Sequence, residues 1–252
     1  MTAPTTILLV SGSLRAESVN SAVLRTAASL AGDGVRTTPS NGMGRLPHFN
    51  PDDDPDGGPV PTAVADLRRQ LADADAVLFC TPEYAGSLPG SFKNLLDWTV
   101  GGGETYGKPV AWINASSRPH PYAASGAHQA LRTVLGYTGA HIAETACLRI
   151  PVPRSAIGPD RLITDAAILD QIATALKTGG PCRRLSPRRE AATAARSATR
   201  SPSRWRSQAT ATAGGVSGEA ERQPPPTPTH ERARSDRQGK SATALLEADR
   251  PR

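Results

Sequence analysis

The chain has 252 residues, a formal net charge of +6 and a pI near 9.6. Its 29 Lys and Arg and 23 Asp and Glu are unevenly placed: residues 1–178 hold 14 and 16 of them, about −2, and all the positive excess lies beyond. No stretch approaches 18 consecutive apolar residues, no basic region with a long apolar core opens the chain, and Cys80, Cys147 and Cys182 form no paired spacing, so the sequence predicts a cytoplasmic, reduced protein with no membrane partner and no metal site.

Thr5 to Val10, TTILLV, is a β-branched and aliphatic run that predicts a first, central strand ending at Ser11-Gly12-Ser13. Val19, Ala22, Val23, Ala27 and Leu30 follow at helical spacing, and Gly32 and Gly34 stop that helix. Val35 to Thr38 reads as a second strand at a sheet edge. Asn41 to Pro61 is irregular and rich in Gly and Pro, a length usually functional or mobile. Its Asp52-Asp53-Asp54 run reads as a solvated turn, because no regular spacing of oxygen ligands accompanies it.

Thr62 to Ala72 predicts an amphipathic helix. Ala76 to Cys80, AVLFC, is apolar throughout, as a parallel strand covered on both faces should be. The connection after it is stiffened by Pro82 and Pro89, whose rings fix φ, and Gly90 or Ser91 then opens a helix with Phe92, Leu95, Leu96 and Thr99 on one side. Val110 to Ile113 predicts the fourth strand, Asn114 to Pro121 a polar loop, Tyr122 to Leu135 a helix, Ala140 to Ala146 the fifth strand and Pro159 to Lys177 the last helix.

Strand and helix alternation with right-handed crossovers implies an α/β domain over residues 1–178, with a doubly wound five-stranded parallel sheet of order 2-1-3-4-5. From Gly179 onward Arg, Ser, Ala, Thr and Pro dominate without aliphatic periodicity, which predicts a disordered basic tail over 179–252. Such composition suits an unselected extension or linker better than a nucleic-acid-binding arm.

Two loops carry the chemistry. After the first strand, Ser11, Ser13 and Ser18 supply hydroxyls, Asn20 an amide, Arg15 a guanidinium, and Gly12 close backbone approach, all leading into a helix N-terminus. Amide protons and the positive dipole end there suit a monoester phosphate. Neither a Walker A loop nor the G-x-G-x-x-G dinucleotide fingerprint is present. After the third strand, Glu83, Tyr84 and the backbone of Gly86 and Ser87 form a stiff turn suited to a flat, polar-edged ligand. In the 2-1-3-4-5 order these loops flank the reversal point of the sheet, where open α/β folds bind ligands. His48, His120, His128 and His141 read as ordinary surface or loop residues.

The stretch TPEYAGSLPGSFKNLLDW, Thr81 to Trp98, closely resembles the PEY-x-x-S-x-P-G-x-x-K-N-x-x-D-W signature of the NAD(P)H-dependent FMN reductases. Gly12, Ser13, Arg15, Ser18 and Asn20 match that family's G-S-x-R-x-x-S-x-N phosphate loop, and LPHFNPDDD is similar to its LP-x-(Y/F)-x-x-D segment. The resemblance implies a flavodoxin-like oxidoreductase that takes a hydride from NADPH or NADH onto FMN and passes electrons to quinone, azo, flavin or similar small acceptors. It implies a homodimer or homotetramer.

FMN would be held by Ser11, Gly12, Ser13, Arg15, Ser18 and Asn20 at its phosphate and by Pro82, Glu83, Tyr84 and Ser87 at its ring. No side chain need be catalytic, and Tyr84 is a candidate stacking surface. Where the family often carries a Gly-rich turn, this chain has NASSRPHP, so Ser116 and Ser117 stand as substitute donors. A flavodoxin-like electron carrier is the alternative, but such carriers are usually acidic and frame the ring with aromatics, whereas this domain is near neutral and the chain has only three Phe, three Trp and four Tyr. A nucleic-acid-binding role would rest on the tail alone.

Overall fold

The computed structural model describes residues 3–116 and 125–179. Ser117 and, beyond its first residue, the tail expected from Gly179 lie outside the described residues. Six strands form one parallel sheet: β1 (Thr5–Ser11), β2 (Val35–Pro39), β3 (Ala76–Thr81), β4 (Pro109–Ser116), β5 (His141–Ile142) and β6 (Leu148–Pro151). The order is β2-β1-β3-β4-β5, with β6 also paired to β4. Helices α1 (Val19–Ser29), α2 (Thr62–Asp73), α3 (Gly90–Asp97), α4 (Ser125–Tyr137) and α5 (Ala166–Gly179) cover its two faces.

The period-2 alternation of a strand sends neighbouring residues to opposite faces and so divides the core in two. Ile7, Leu9, Leu78, Cys80, Ala111 and Ile113 pack with α1 and α5, while Leu8, Val10, Val77, Phe79, Val110 and Trp112 pack with α2, α3 and α4. Every residue of β3 is buried, which is why AVLFCT carries no polar face. β2 exposes alternate residues and pairs only with β1, as an edge strand should.

Three elements differ from the sequence expectation. The fifth strand position is split between β5 and β6, because β4 advances from Val110 to Ile113 while its neighbour advances from Ile142 to Leu148. The surplus residues form a 3-10 turn, Glu144–Ala146, that buries Ala146 and leaves Glu144 outside to pair with Arg132. The last helix begins at Ala166 rather than Pro159, because Asp165 accepts the Ile168 amide at 3.0 Å and acts as its cap. β4 runs on through Ser116, so Asn114 is a fully buried strand residue and not part of a polar loop.

The long connection between β2 and α2 is pinned to α3. Asn94 accepts the Phe49 amide at 2.8 Å and donates to the Pro47 carbonyl at 2.8 Å, which also receives the Trp98 indole N–H at 2.9 Å. Phe49 packs edge-on against Trp98. Asp54 is not a solvated acid: Arg68 forks onto both its oxygens at 2.9 and 2.7 Å and also donates to the Trp98 carbonyl. The two side chains are only 15% and 7% exposed, so removing one strands the other's charge. We therefore expect Arg68→Ala to lower the unfolding free energy by about 3 kcal/mol, read from urea denaturation, with Asp54 left as an uncompensated carboxylate.

His128 is not an ordinary surface histidine. It lies half-buried on α4, where its Nδ1 accepts the indole N–H of the fully buried Trp112 at 2.9 Å. Burial, with help from the Arg132 and Arg149 guanidiniums, holds its pKa below the ordinary 6.5. The folded state therefore favours the neutral ring, so this contribution to stability is complete above the ordinary value and is lost as the pH falls below it. The thermal midpoint should drop between pH 7.5 and pH 5.5, and His128→Phe should make that drop smaller.

Candidate active site

The carboxyl ends of β1, β3, β4 and β6 open into a cavity of about 730 Å³. Ser13, Arg15, Ser18 and Asn20 line it from the first loop, Pro82, Glu83 and Tyr84 from the third, and Ser116 from the end of β4. Most of the residues singled out from sequence thus meet in one space.

The first loop presents donors. Ser18 is the N-cap of α1, its Oγ accepting the Ser21 amide at 3.0 Å; the hydroxyl hydrogen is left for Ser21 Oγ or for a ligand. Val19 and Asn20 begin the helix, so their amides have no intrahelical acceptor. Asn20 is buried, and its Oδ1 accepts the Cys80 thiol at 3.3 Å, which orients the side chain. That thiol is inert, since complete burial pushes its pKa far up. The Arg15 guanidinium has no hydrogen bond or ion pair among the described residues, and the residue is exposed.

The third loop is a tight turn. Tyr84 and Ser87 exchange both backbone hydrogen bonds at 3.0 Å, and Ala85 and Gly86 between them take positive φ of 50° and 73°. This commits the Tyr84 amide to Ser87, while the Glu83 amide keeps no partner among the described residues. The Glu83 carboxylate accepts the Ala127 amide at 2.8 Å in the first turn of α4. Gly126 makes that contact possible, because a Cβ there would lie 1.9 Å from the Gly86 carbonyl oxygen. Tyr84 is 52% exposed at the cavity's edge.

Ser11, Gly12 and Ser87 stand elsewhere. Ser11 faces a neighbouring cavity beside Ser40 and Met43 and accepts the Ser13 amide, which shapes the loop. Gly12 is packed against Thr81 and Phe92 beneath the cavity. Ser87 is exposed and outside the lining, and serves through its backbone. The wall the sequence reading missed is the segment after β6: Arg154, Ile157, Gly158, Pro159 and Arg161, with Arg161 paired to Glu17 of the first loop. Its signal was Pro151-Val152-Pro153 followed by Gly158, the punctuation that also marks the other loops at strand ends.

The chain is 41% identical over 113 residues to an NAD(P)H-dependent FMN reductase of Pseudomonas aeruginosa, a match covering 44% of this chain and 60% of that protein's length. It is 32% identical over 148 residues to a quinone reductase of Pseudomonas putida, covering 58% and 74%. Among solved structures, the FerB NAD(P)H:(acceptor) oxidoreductase of Paracoccus denitrificans aligns over 70% of this chain and all of its own, with a TM-score of 0.59 and 27% identity. A model of the NADPH-dependent FMN reductase family matches residues 5–151, and the chain belongs to that family.

Proposed function

We propose that the chain is an NAD(P)H-dependent oxidoreductase that holds FMN in this cavity and serves a small-molecule acceptor such as a quinone, an azo compound or free flavin. One observation carries the reading: anion donors from the β1 loop and a flat, fixed turn from the β3 loop line a single space at the reversal point of the sheet. The relatives named above, each described as an FMN, quinone or acceptor reductase, point the same way.

The donor set fits a flavin mononucleotide. Ser13, Arg15, Ser18 and the opening amides of α1 would hold the phosphate, with Asn20 turned to it by Cys80 and with Ser11 and Gly12 shaping the backbone. Pro82, Glu83 and Tyr84 would lie along the ring, the Glu83 amide donating to its polar edge. Ser87 would keep that turn closed. Ser116 and Ser117 would serve the other edge.

When bound, FMN supplies the redox chemistry, accepting a hydride from nicotinamide and delivering electrons onward. The chain's own part is to neutralise the phosphate, fix the ring against the Pro82–Ser87 turn and offer Tyr84 as a stacking face for nicotinamide or acceptor. No helix among the described residues is long and apolar enough to cross a membrane, and the location proposed for the enzyme is the cytoplasm. We place the working unit in residues 1–178 as a homodimer or homotetramer, with 179–252 dispensable for turnover and nucleic acid not a partner.

Purified protein should be yellow, should bleach when NADPH or NADH is added without oxygen, and should regain colour with a quinone. A yellow protein that neither nicotinamide reduces would be an electron carrier, and a colourless one that loses added FMN on dialysis would refute the assignment. Gly126→Ala forces α4 off the Pro82–Ser87 turn, so it should weaken FMN retention by about tenfold or more while leaving the far-ultraviolet circular dichroism intact.

A further inference from the structure

The wall after β6 is built as firmly as the two motif-bearing loops. It leaves the sheet with the Val152 amide donating to the Ser116 carbonyl at 2.7 Å, and Arg154 opens the 3-10 turn Arg154–Ala156. The turn's carbonyl at Ala156 receives the Thr164 amide, and Ile157 bridges to Ile163, so residues 156–164 close on themselves. That closed segment is docked on α1. The Ile163 amide donates to the buried Thr26 Oγ1 at 2.9 Å, Arg25 reaches the Arg161 carbonyl, and the Arg161 guanidinium pairs with Glu17 just before the helix. The same helix that starts at the cavity therefore positions the backbone that carries Arg154.

Among the described residues, the charges lining the cavity are Arg15, Arg154, Arg161, Glu17 and Glu83. Glu17 and Arg161 neutralise each other. Glu83 is turned onto the Ala127 amide. Arg15 and Arg154 are left: both line the cavity, both are exposed, and neither guanidinium has a hydrogen bond or ion pair among the described residues. Two guanidiniums without an ion-pair partner among the described residues, lining the cavity at which α1 begins, suit the charge of a phosphate monoester near neutral pH, about −1.5 to −2.

We propose that Arg154 is a second cationic ligand of the flavin phosphate, supplied by the loop after β6, and that the Glu17–Arg161 pair is a positioning contact that holds this loop to α1. This assignment rests on the FMN reading above and adds a residue that lies outside both sequence motifs.

The test compares FMN with riboflavin, which has the same ring without the phosphate. Dissociation constants are measured by flavin fluorescence quenching on the whole chain and on Arg154→Ala and Arg154→Lys. Wild type should bind FMN more tightly than riboflavin. Arg154→Ala should weaken FMN by about tenfold or more and riboflavin by less than about twofold, and Arg154→Lys should recover part of the loss. The salt dependence of FMN binding should also become shallower in Arg154→Ala.

Unchanged FMN affinity in Arg154→Ala would overturn the assignment and leave the FMN reading standing. So would an equal loss for both flavins, because it would place the residue at the ring or in the fold. A wild type that binds riboflavin as tightly as FMN would overturn both the phosphate site and the role of Arg154. The exposed position of Arg154 makes a folding defect easy to separate, through an unchanged thermal midpoint.

Discussion

Gly12 donates its amide to the Cys80 carbonyl at 2.8 Å, at the point where β1 ends beside β3. A Cβ on that residue would sit 2.4 Å from Thr81 Oγ1 and 2.9 Å from the Phe92 ring, so no other amino acid allows the two strand ends to lie this close without something moving. The approach of those ends is what places the loop after β1 and the Pro82–Ser87 turn on one cavity. Phe92 at the start of α3 lies directly beneath, packed with Phe79, so the hydrophobic core itself sets the floor. Site and core are in this sense one construction, since the residues that bury the sheet's face also fix the distance between the loops above it.

A second layer of contacts makes those loops rigid rather than merely adjacent. The positive-φ pair Ala85 and Gly86 closes the turn, and the Glu83 carboxylate with the missing side chain of Gly126 locks it to α4. Ala85 in the left-handed region costs energy that the surrounding packing must offset. A turn preorganised in this way meets a flat ligand with little further loss of conformational entropy, which is how a surface loop becomes a binding wall. Asp54, Arg68, Asn94 and Trp98 play the same part for the long connection between β2 and α2, which would otherwise be loose chain beside the site.

The sequence reading reached furthest where physics is local. Apolar runs located β1 and β3, helical spacing located α1, and the two motif loops share a cavity. It fell short where contacts join distant residues. The break between β5 and β6 depends on how that strand runs against β4, and the periodicity of Ala140 to Ala146 alone does not reveal it. The Arg154 wall is held by Ile163 reaching Thr26, 137 positions away, and a pattern search along the chain cannot see such a pairing. One local signal was available: Ile168, Ile172, Ala175 and Leu176 follow Asp165, a good N-cap, and would have started the last helix there and freed the preceding residues to be a loop.

Whether neighbouring strand ends jointly cradle one mononucleotide can be read from a crystal structure of the protein grown with FMN. Phosphate oxygens should lie within hydrogen-bonding distance of the Val19 and Asn20 amides and the Ser13 hydroxyl, with the ring against Pro82, Glu83 and Tyr84. An FMN found with its phosphate away from the start of α1, or seated in a different cavity, would contradict it.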